Sequence, residues 1–370
     1  MTVTALSALL MRKLPALELC TRLSIGAGDV VIHAPGFEDR TMAVADIVKP
    51  KRGAHAILLD YLPFSARNRV GDVRESLRKS RLAIADEDIV TYNRFEPRDF
   101  EERLRARLIA LAARRVVLDI STMSKLAIML VLEICRVLDL DVCVFYAEAQ
   151  EYGPSEAEFE AAKNDNAIHR PSLQVFTGVH GVVRVESLKS VAMQGNPTAA
   201  LVFMSFNDAL TQVLLNTVYP SRLFLINGRP PVHRWRELAT AWIHDQVRRE
   251  WEEDNPVRLD VVGGVQMPTR VVSTLDYRET VVSLLGLYWQ LSATHRILLA
   301  PAGSKMQAVG CSLVKALHPD IHIEYPSPEG FQAVYSSGIA DCWLLDFGRL
   351  SEQLAAVSGA ERQEYLEIPP

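Results

Sequence analysis

The stretch that decides the fold reads Val116-Val117-Leu118-Asp119-Ile120-Ser121-Thr122-Met123-Ser124-Lys125, and the apolar run Leu126 to Ile134 follows it directly. An apolar segment, a short polar segment and a long run of helix formers predict a buried strand, a tight loop and a helix. Such a loop places hydroxyls, a carboxylate, an ammonium and the first N–H groups of a helix at the carboxyl end of a strand, where open α/β sheets bind ligands. We therefore expect this loop to bind an anionic ligand.

The same pattern has a plain structural alternative. Strand-loop-helix units occur throughout parallel α/β proteins, and in such units Asp119 or Ser121 would only cap the helix while Lys125 is solvated. This one stretch leaves both interpretations open.

Length and composition indicate two domains in a cytoplasmic protein. The 370 residues exceed one comfortable core, at roughly 150 residues per domain. A net charge of -5 and a pI near 6.0 do not favour nucleic acid or an anionic membrane as the main partner, so we expect no DNA binding and no membrane. The five cysteines lack metal-binding spacing, and the first residues lack the charge order of a secretory signal. We expect no metal and no cofactor.

Apolar strands alternate with helical segments in the first half of the chain. The predicted strands are Val30 to His33, Ala56 to Tyr61, Ile89 to Tyr92, Val116 to Asp119 and Asp141 to Tyr146. This alternation predicts a parallel sheet with helices on both faces, Rossmann-like in the broad sense. We assign it to residues 1–150, with an N-terminal helical cap over residues 1–27 and a charged helix from Phe95 to Ala113.

The pattern starts again after a loop-rich connecting segment, residues 151–198. Leu201 to Met204 opens onto Ser205-Phe206-Asn207-Asp208, which matches Gly36-Phe37-Glu38-Asp39 after the first strand. Further matches, in the same order, are Leu223 to Asn227, Arg296 to Met306 and Ile321 to Tyr325. We therefore predict an internal duplication, with a second Rossmann-like half over residues 199–350 and a tail over residues 351–370. Two such halves would pack about an approximate pseudo-two-fold axis, with equivalent loops facing one cleft.

Two polar loops in each half carry the candidate ligand-binding residues. In the first half they are Gly36, Phe37, Glu38 and Arg40, then Asp119, Ser121, Thr122, Ser124 and Lys125. In the second half they are Ser205 and Asn207, then Gly303, Ser304, Lys305 and Met306. Ala300 and Ala302 stand where the first half has Asp119 and Ser121, so we predict a composite site with a stronger first half.

Individual residues in these loops allow alternatives. Gly36 would approach the ligand and Arg40 would meet a phosphate, or the segment is only a helix entry with acidic residues in its first turn. The arginines of the next loops would contact a base or a phosphate, or are solvated; they are Arg67, Arg69, Arg234 and Arg236. His33 would act as a base or be packed in the core.

The opening stretch resembles a known family signature. Asp119-x-Ser121-x-x-x-Lys125 after an apolar strand is similar to the Asp/Asn-x-Ser/Thr-x-x-x-Lys/Arg signature of CRISPR-associated Rossmann fold (CARF) domains. Gly303-Ser304-Lys305-Met306 resembles a Gly-Thr-Lys-Met variant of it, and the related SAVED domains are fused pairs of CARF-like units. The resemblance implies binding of a cyclic oligonucleotide or related nucleotide signal in prokaryotic antiviral defence or signalling. We recognise no effector segment in this chain, so the resemblance implies a separate effector protein.

Three classes of function remain open. The first is a nucleotide sensor that acts on a partner. The second is a metal-independent, ring-nuclease-like phosphodiesterase or another nucleotide-processing enzyme, in which Lys125, Ser121 and Arg40 would orient the ligand for attack by its own 2'-hydroxyl. The third is a scaffold whose loops are vestigial.

Overall fold

The computed structural model describes residues 3–170, 173–190, 195–254, 261–262, 265–266, 270–332 and 335–365. The chain forms two compact units. The first comprises Met1–Tyr152 and Ala333–Pro370, and the second comprises Gly153–Gln332. In the part of the chain that is described, no helix is long and apolar enough to cross a membrane.

The first unit contains six helices and eleven strands among its described residues. The helices are α1 (Val3–Lys13), α2 (Ala43–Ile47), α3 (Val70–Lys79), α4 (Phe100–Ala110), α5 (Lys125–Val137) and, from the end of the chain, α11 (Leu350–Tyr365). The strands up to residue 62 are β1 (Glu18–Leu19), β2 (Leu23–Ile25), β3 (Asp29–His33), β4 (Val48–Pro50) and β5 (His55–Leu62). The later strands are β6 (Ile89–Asn93), β7 (Arg115–Asp119), β8 (Asp141–Ala147), β9 (Glu151–Tyr152), β19 (Ser336–Ser337) and β20 (Cys342–Arg349). A 3-10 turn over Asp39–Met42 precedes α2.

A seven-stranded sheet with the order β1-β20-β8-β7-β3-β5-β6 forms the core of the first unit. The five strands from β8 to β6 are parallel, whereas β20 and β1 add to one edge in antiparallel orientation. Helices α2 and α3 pack on one face through a shared apolar cluster, and α5, whose side chains are mostly buried, contacts α4 and α11. The strand order reverses between β3 and β7, which makes the carboxyl ends of these two strands the ligand-binding position of an open α/β sheet.

Two predicted elements of this unit are shorter in the structure. The helical cap over residues 1–27 is wrong beyond Lys13, because Pro15 follows closely and the chain then forms the short strands β1 and β2. The charged helix predicted from Phe95 begins only at Phe100, since Pro97 disfavours helical backbone before it, and it ends before Ala112, which has a φ of 48°.

The second unit begins after β9. Its helices are α6 (Glu156–Asn164), α7 (Asp208–Val218), α8 (Trp235–Asp254), α9 (Tyr277–Leu291) and α10 (Lys305–Leu317). Its strands are β10 (Phe176–Val183), β11 (Thr198–Phe203), β12 (Arg222–Arg229), β13 (Val261–Val262), β14 (Val265–Gln266), β15 (Arg270–Ser273), β16 (Arg296–Ala300), β17 (His322–Ile323) and β18 (Tyr325–Phe331).

The sheet of the second unit has the order β15-β12-β11-β16-β17, and all its pairings are parallel. Numbered along the chain, this order is 3-2-1-4-5, which is also the order of the five parallel strands in the first unit. Strands β10 and β18 form a separate antiparallel ribbon. Both units are therefore mixed α/β structures built on a parallel, Rossmann-like sheet.

The unit boundaries differ from the predicted ones. Residues 342–349, assigned by sequence to the second half, form β20 and pair with β8 of the first sheet. Helix α11 occupies most of the predicted tail and contacts α1, while Pro369 and Pro370 lie outside the described residues. The predicted connecting segment belongs to the second unit, where it contributes α6 and β10. Antiparallel addition of a late strand to a sheet edge leaves no periodic signal that sequence reasoning could use.

Candidate functional site

The candidate site lies where β3 and β7 end. In their parallel register His33 stands directly beside Asp119, so the last residues of the two strands are neighbours. The loops after β3, β5 and β7 therefore meet at one edge of the first sheet.

A buried polar chain joins these strand ends. The Nδ1 atom of His33 lies 2.7 Å from Oδ2 of Asp119, and Nε2 of the same ring lies 3.3 Å from Oγ1 of Thr41. Thr41 Oγ1 in turn accepts a hydrogen bond of 2.9 Å from the N–H of Gly36. All three side chains have no exposed surface. The contact between His33 Nδ1 and Asp119 Oδ2 is close enough for an ion pair but does not have the geometry of a hydrogen bond, so these two buried atoms are held together by proximity and charge.

Ser121 extends this chain to the end of β8. Its N–H and its hydroxyl both donate to Oδ1 of Asp119, at 2.9 and 2.5 Å, and its Oγ accepts from the N–H of Ala147 at 2.9 Å. Asp119 and Ser121 are both fully buried. In this structure they fix the loops to one another, and their contact with a ligand stays a prediction.

Carboxylate, imidazole and hydroxyl stand here in the order that hydrolases use, with Thr41 in the place of the nucleophile. Because Thr41, His33 and Asp119 are enclosed, a substrate has no access to the hydroxyl in this conformation. The arrangement is a scaffold for the neighbouring loops.

Glu38 and Arg40 form a second buried pair. Arg40, 1% exposed, lies 2.7 Å from Glu38 Oε2 through its Nη2 and donates to the same oxygen from Nε at 2.9 Å. Its Nη1 donates to the carbonyl of Ala147 at 3.4 Å, and Tyr152 lies beneath the guanidinium. Glu38 also accepts from Ser336. The guanidinium of Arg40 is thus engaged inside the protein, and its contact with a ligand phosphate stays a prediction.

Gly36 is needed for close packing of two loops. A Cβ at this position would lie 3.0 Å from the Cβ of Thr122. Thr122 Oγ1 donates to the carbonyl of Ala34 at 2.6 Å, which ties the loop after β7 to the loop after β3. The glycine therefore makes room for Thr122, where the sequence had suggested room for a ligand.

The amino terminus of α5 is the part of the predicted loop that faces outward. Ser124 is the N-cap, and its Oγ accepts from the N–H of Ala127 at 3.2 Å. Its own N–H donates to the hydroxyl of Tyr61, at the end of β5, at 2.7 Å. The N–H groups of Lys125 and Leu126 lack an acceptor within the helix by its geometry. They contribute to the positive end of the helix dipole at this point.

Lys125 is the exceptional residue of the site. It is partly exposed, yet it forms no hydrogen bond or ion pair with any other residue that the structure describes. Burial lowers the pKa of its ammonium to about 8, from an ordinary value of 10.5. The charge carries a desolvation cost that no carboxylate of the described chain offsets, and a bound anion would offset it.

An aromatic and cationic group flanks this position. The guanidinium of Arg67 lies 4.5 Å above the ring of Phe37, and the N–H of Arg69 donates to the carbonyl of Gly36 at 3.2 Å. Phe64, in the same loop after β5, is 70% exposed. Of the four candidates after β3, Gly36 and Phe37 are partly exposed, whereas Glu38 and Arg40 are buried.

The corresponding loops of the second unit are used as helix caps. Asn207 caps α7 by accepting from the N–H of Ala209 at 2.9 Å, and Ser205 exchanges hydrogen bonds with the backbone of Asn207. Ser304 caps α10 in a capping box with Gln307, and its hydroxyl donates to the carbonyl of Thr274 at 2.7 Å.

The remaining candidates of the second unit are engaged or buried. A Cβ on Gly303 would lie 2.1 Å from Oε1 of Gln307, so glycine is required by the capping box. Met306 is 1% exposed and belongs to the core, and its assignment as a ligand contact stays a prediction. Lys305 begins α10 as Lys125 begins α5, but unlike Lys125 it has an interaction partner.

Sequence reasoning missed Tyr61 and Thr41. Tyr61 ends a predicted strand, and the sequence gives no sign that its hydroxyl reaches the start of α5, the third helix after it. That contact depends on strand order, which a single sequence does not specify. Thr41 lies eight residues after the histidine that it contacts, and the contact depends on how the chain turns after β3.

No protein-family model matches this chain, and no curated protein matches it. Among solved structures, a universal stress protein from Archaeoglobus fulgidus DSM 4304 is 10% identical. That alignment covers 82% of this chain and 97% of the other, with a TM-score of 0.22. A score this low carries no argument about fold or function.

Proposed function

We propose that this chain is a sensor that binds a nucleotide signal, such as a cyclic oligonucleotide, with a phosphate against Lys125 at the start of α5. The observation that carries the proposal is the unpaired, desolvated ammonium of Lys125 beside the positive end of a helix. It lies at the strand ends where the strand order reverses.

The energetics favour an anion at this point. A helix amino terminus stabilises an anion by roughly 0.3 to 1 kcal/mol, and each charge-assisted hydrogen bond adds roughly 1.5 to 3 kcal/mol. Relief of the desolvation of Lys125 adds to both terms. A phosphate presents three acceptor oxygens and fits an ammonium next to free N–H groups better than a neutral group does.

The proposal includes an internal duplication with a weaker second site. The common 3-2-1-4-5 strand order and the two helices that begin with lysine support it. Because Lys305 is engaged and Gly303 and Ser304 serve the capping box, the second loop offers fewer groups to a ligand.

The biological setting rests on the resemblance to CARF and SAVED domains, which points to prokaryotic antiviral defence or signalling and to a separate effector protein. In the structure, Asp119 and Ser121 of the signature hold the loop together, and Lys125 is the signature residue that remains available. We propose that the internal contacts of Asp119 and Ser121 hold the loop in the conformation that places Lys125 against the ligand.

Calorimetric titration with cyclic and linear oligonucleotides of adenylate and guanylate tests the proposal. We expect at least one of them to bind and Lys125→Ala to weaken its binding at least tenfold. Lys305→Ala, at the equivalent position of the second unit, should weaken binding less, and Lys79→Ala, an exposed lysine paired with Glu75, should not change it. The proposal fails if no oligonucleotide binds, or if the three variants behave alike.

A nucleotide-cleaving enzyme is the second candidate, and one observation favours it. An ammonium with a pKa of about 8 can release a proton near neutral pH, which suits a general acid that protonates a leaving oxygen. Chromatography of the bound oligonucleotide after long incubation separates the two candidates. Intact ligand supports the sensor, whereas turnover that Lys125→Ala removes supports the enzyme.

A further inference from the structure

The loop after β5 displays apolar side chains at the edge of the sheet that carries Lys125. Phe64 is 70% exposed and Leu62 is 38% exposed. Phenylalanine is among the residues most often buried, and this one gains nothing from the fold in its present position. An exposed aromatic ring in a loop near the proposed phosphate position is therefore a candidate contact for the rest of the ligand.

One contact and a short length of chain bring this loop close to the proposed phosphate position. The hydroxyl of Tyr61 accepts from the N–H of Ser124, the residue before Lys125. Phe64 follows Tyr61 by three residues, which span at most about 11 Å of chain. A ligand with a phosphate at Lys125 and a ring one or two nucleotide lengths away can therefore reach Phe64.

A second ring lies in the adjoining loop. Phe37 is partly exposed, with the Arg67 guanidinium 4.5 Å above it, and the Arg69 backbone joins the two loops through Gly36. Planar guanidinium and phenyl groups both stack on nucleobases.

An arginine also lies over a phenylalanine in the second unit, but that pair is used differently. Arg236 lies 4.2 Å above the ring of Phe206, but its guanidinium donates to the carbonyls of Gly153 and Pro154 at 3.0 and 2.9 Å. Phe206 also packs edge-on against Trp235 in a local core. That pair stabilises the second unit, whereas Phe37, Arg67 and Phe64 lie at an open edge.

We propose that Phe64, together with the Phe37 and Arg67 pair, is a stacking platform for a nucleobase of the ligand whose phosphate Lys125 holds; this inference rests on the proposed function. The two phenyl rings contact only the π-face of the base, and the Arg67 guanidinium, whose cation lies over the ring of Phe37, stacks in the same way. The platform therefore accepts adenine and guanine alike, and selectivity between them arises elsewhere.

The test compares a 5'-phosphorylated adenylate dinucleotide with its abasic analogue, which keeps the sugar-phosphate backbone and charge. The unaltered protein should bind the dinucleotide more tightly than the analogue. Phe64→Ala should weaken dinucleotide binding by roughly 5- to 100-fold, the effect of losing one base-aromatic stack. Phe64→Ala should leave binding of the abasic analogue unchanged. Phe64→Trp, which keeps an aromatic ring, should bind the dinucleotide about as tightly as the unaltered protein does.

Ile109→Ala serves as the matched control. Ile109 is 61% exposed near the end of α4, the helix that leads back from the carboxyl end of β6 to the amino end of β7. Its replacement should therefore change neither the affinity for the dinucleotide nor the affinity for the abasic analogue. Equal weakening of both probes by Phe64→Ala, or no weakening of either, would overturn the platform while Lys125-dependent binding still supports the proposed function. If neither probe nor any oligonucleotide binds the unaltered protein, the proposed function is overturned and the platform with it.

Discussion

Replacing Asp119 by alanine should destabilise the first unit without removing a ligand contact. The substitution leaves two buried donors without an acceptor, the N–H and the hydroxyl of Ser121, and it removes the carboxylate that lies 2.7 Å from the ring of His33. A buried polar group left unsatisfied costs roughly 1 to 3 kcal/mol. The two donors together cost roughly 2 to 6 kcal/mol, a large part of the stability of a typical domain.

Asp119→Asn should cost much less. The asparagine oxygen can accept from Ser121, and its NH₂ can donate to Nδ1 of His33 if the imidazole proton moves to Nε2. Thr41 Oγ1 then accepts from the ring in place of donating to it. We expect a loss of about 1 kcal/mol, the usual net value of one altered hydrogen bond.

Hydrogen exchange by mass spectrometry measures both variants unit by unit. Peptides that contain β3 and β7 should lose most protection in Asp119→Ala and little in Asp119→Asn. Peptides that contain β11 and β16, in the second unit, provide the internal reference. Equal protection in the alanine variant and the unaltered protein would refute the assignment of Asp119 as a structural residue.

Three further substitutions test other parts of the structure. The pKa of Lys125 is about 8 in the folded protein, below the ordinary 10.5. Between pH 8 and pH 10.5 the unfolded chain therefore holds a proton at Lys125 that the folded chain lacks, so the free energy of unfolding rises with pH over this range. Lys125→Met should therefore raise the free energy of unfolding at pH 7, by no more than about 3 kcal/mol, while abolishing oligonucleotide binding; denaturant unfolding and calorimetry check both effects. Arg40→Met should cost about 3 to 5 kcal/mol in denaturant unfolding because it strands the Glu38 carboxylate, and adding Glu38→Gln should recover part of the loss. Gly303→Ala should cost about 1 kcal/mol by breaking the capping box, and less in a chain that already carries Gln307→Ala, as a double-mutant cycle in urea would show.

The parallel core was predictable because its signals are local. Buried strands such as β3 and β7 read as short apolar runs, and each is followed by a polar loop and a helix with an apolar face. Alternation of such units leaves few arrangements other than a parallel sheet. The same locality explains why Ser124 and Ser304, each with a helix directly after it, were found as loop residues and prove to be N-caps.

The chemistry of the site was less predictable because burial is not local. Asp119, Ser121 and Arg40 are polar residues in loops, which sequence reasoning assigns to the surface. Their buried partners are His33, Ala147 and Glu38, and the first two contacts depend on which strands lie side by side. Lys125 was found by its position after the strand, but only the structure shows that it has no counter-ion among the described residues.

The addition of β20 was also beyond local reasoning. It pairs with β8 almost 200 residues earlier in the chain, and its apolar content is equally consistent with a strand of the second sheet. The predicted second half was therefore too long at its end.

The central claim is that Lys125 carries an unpaired ammonium and that this ammonium binds a phosphate of the ligand. Carbon-13 NMR of dimethylated lysines, with the Lys125 signal assigned by its loss in Lys125→Met, measures its pKa directly. We predict a value of about 8 in the free protein and a rise of at least one unit when the best-binding oligonucleotide is added. An ordinary lysine pKa in the free protein, or a value that saturating oligonucleotide leaves unchanged, would contradict the claim.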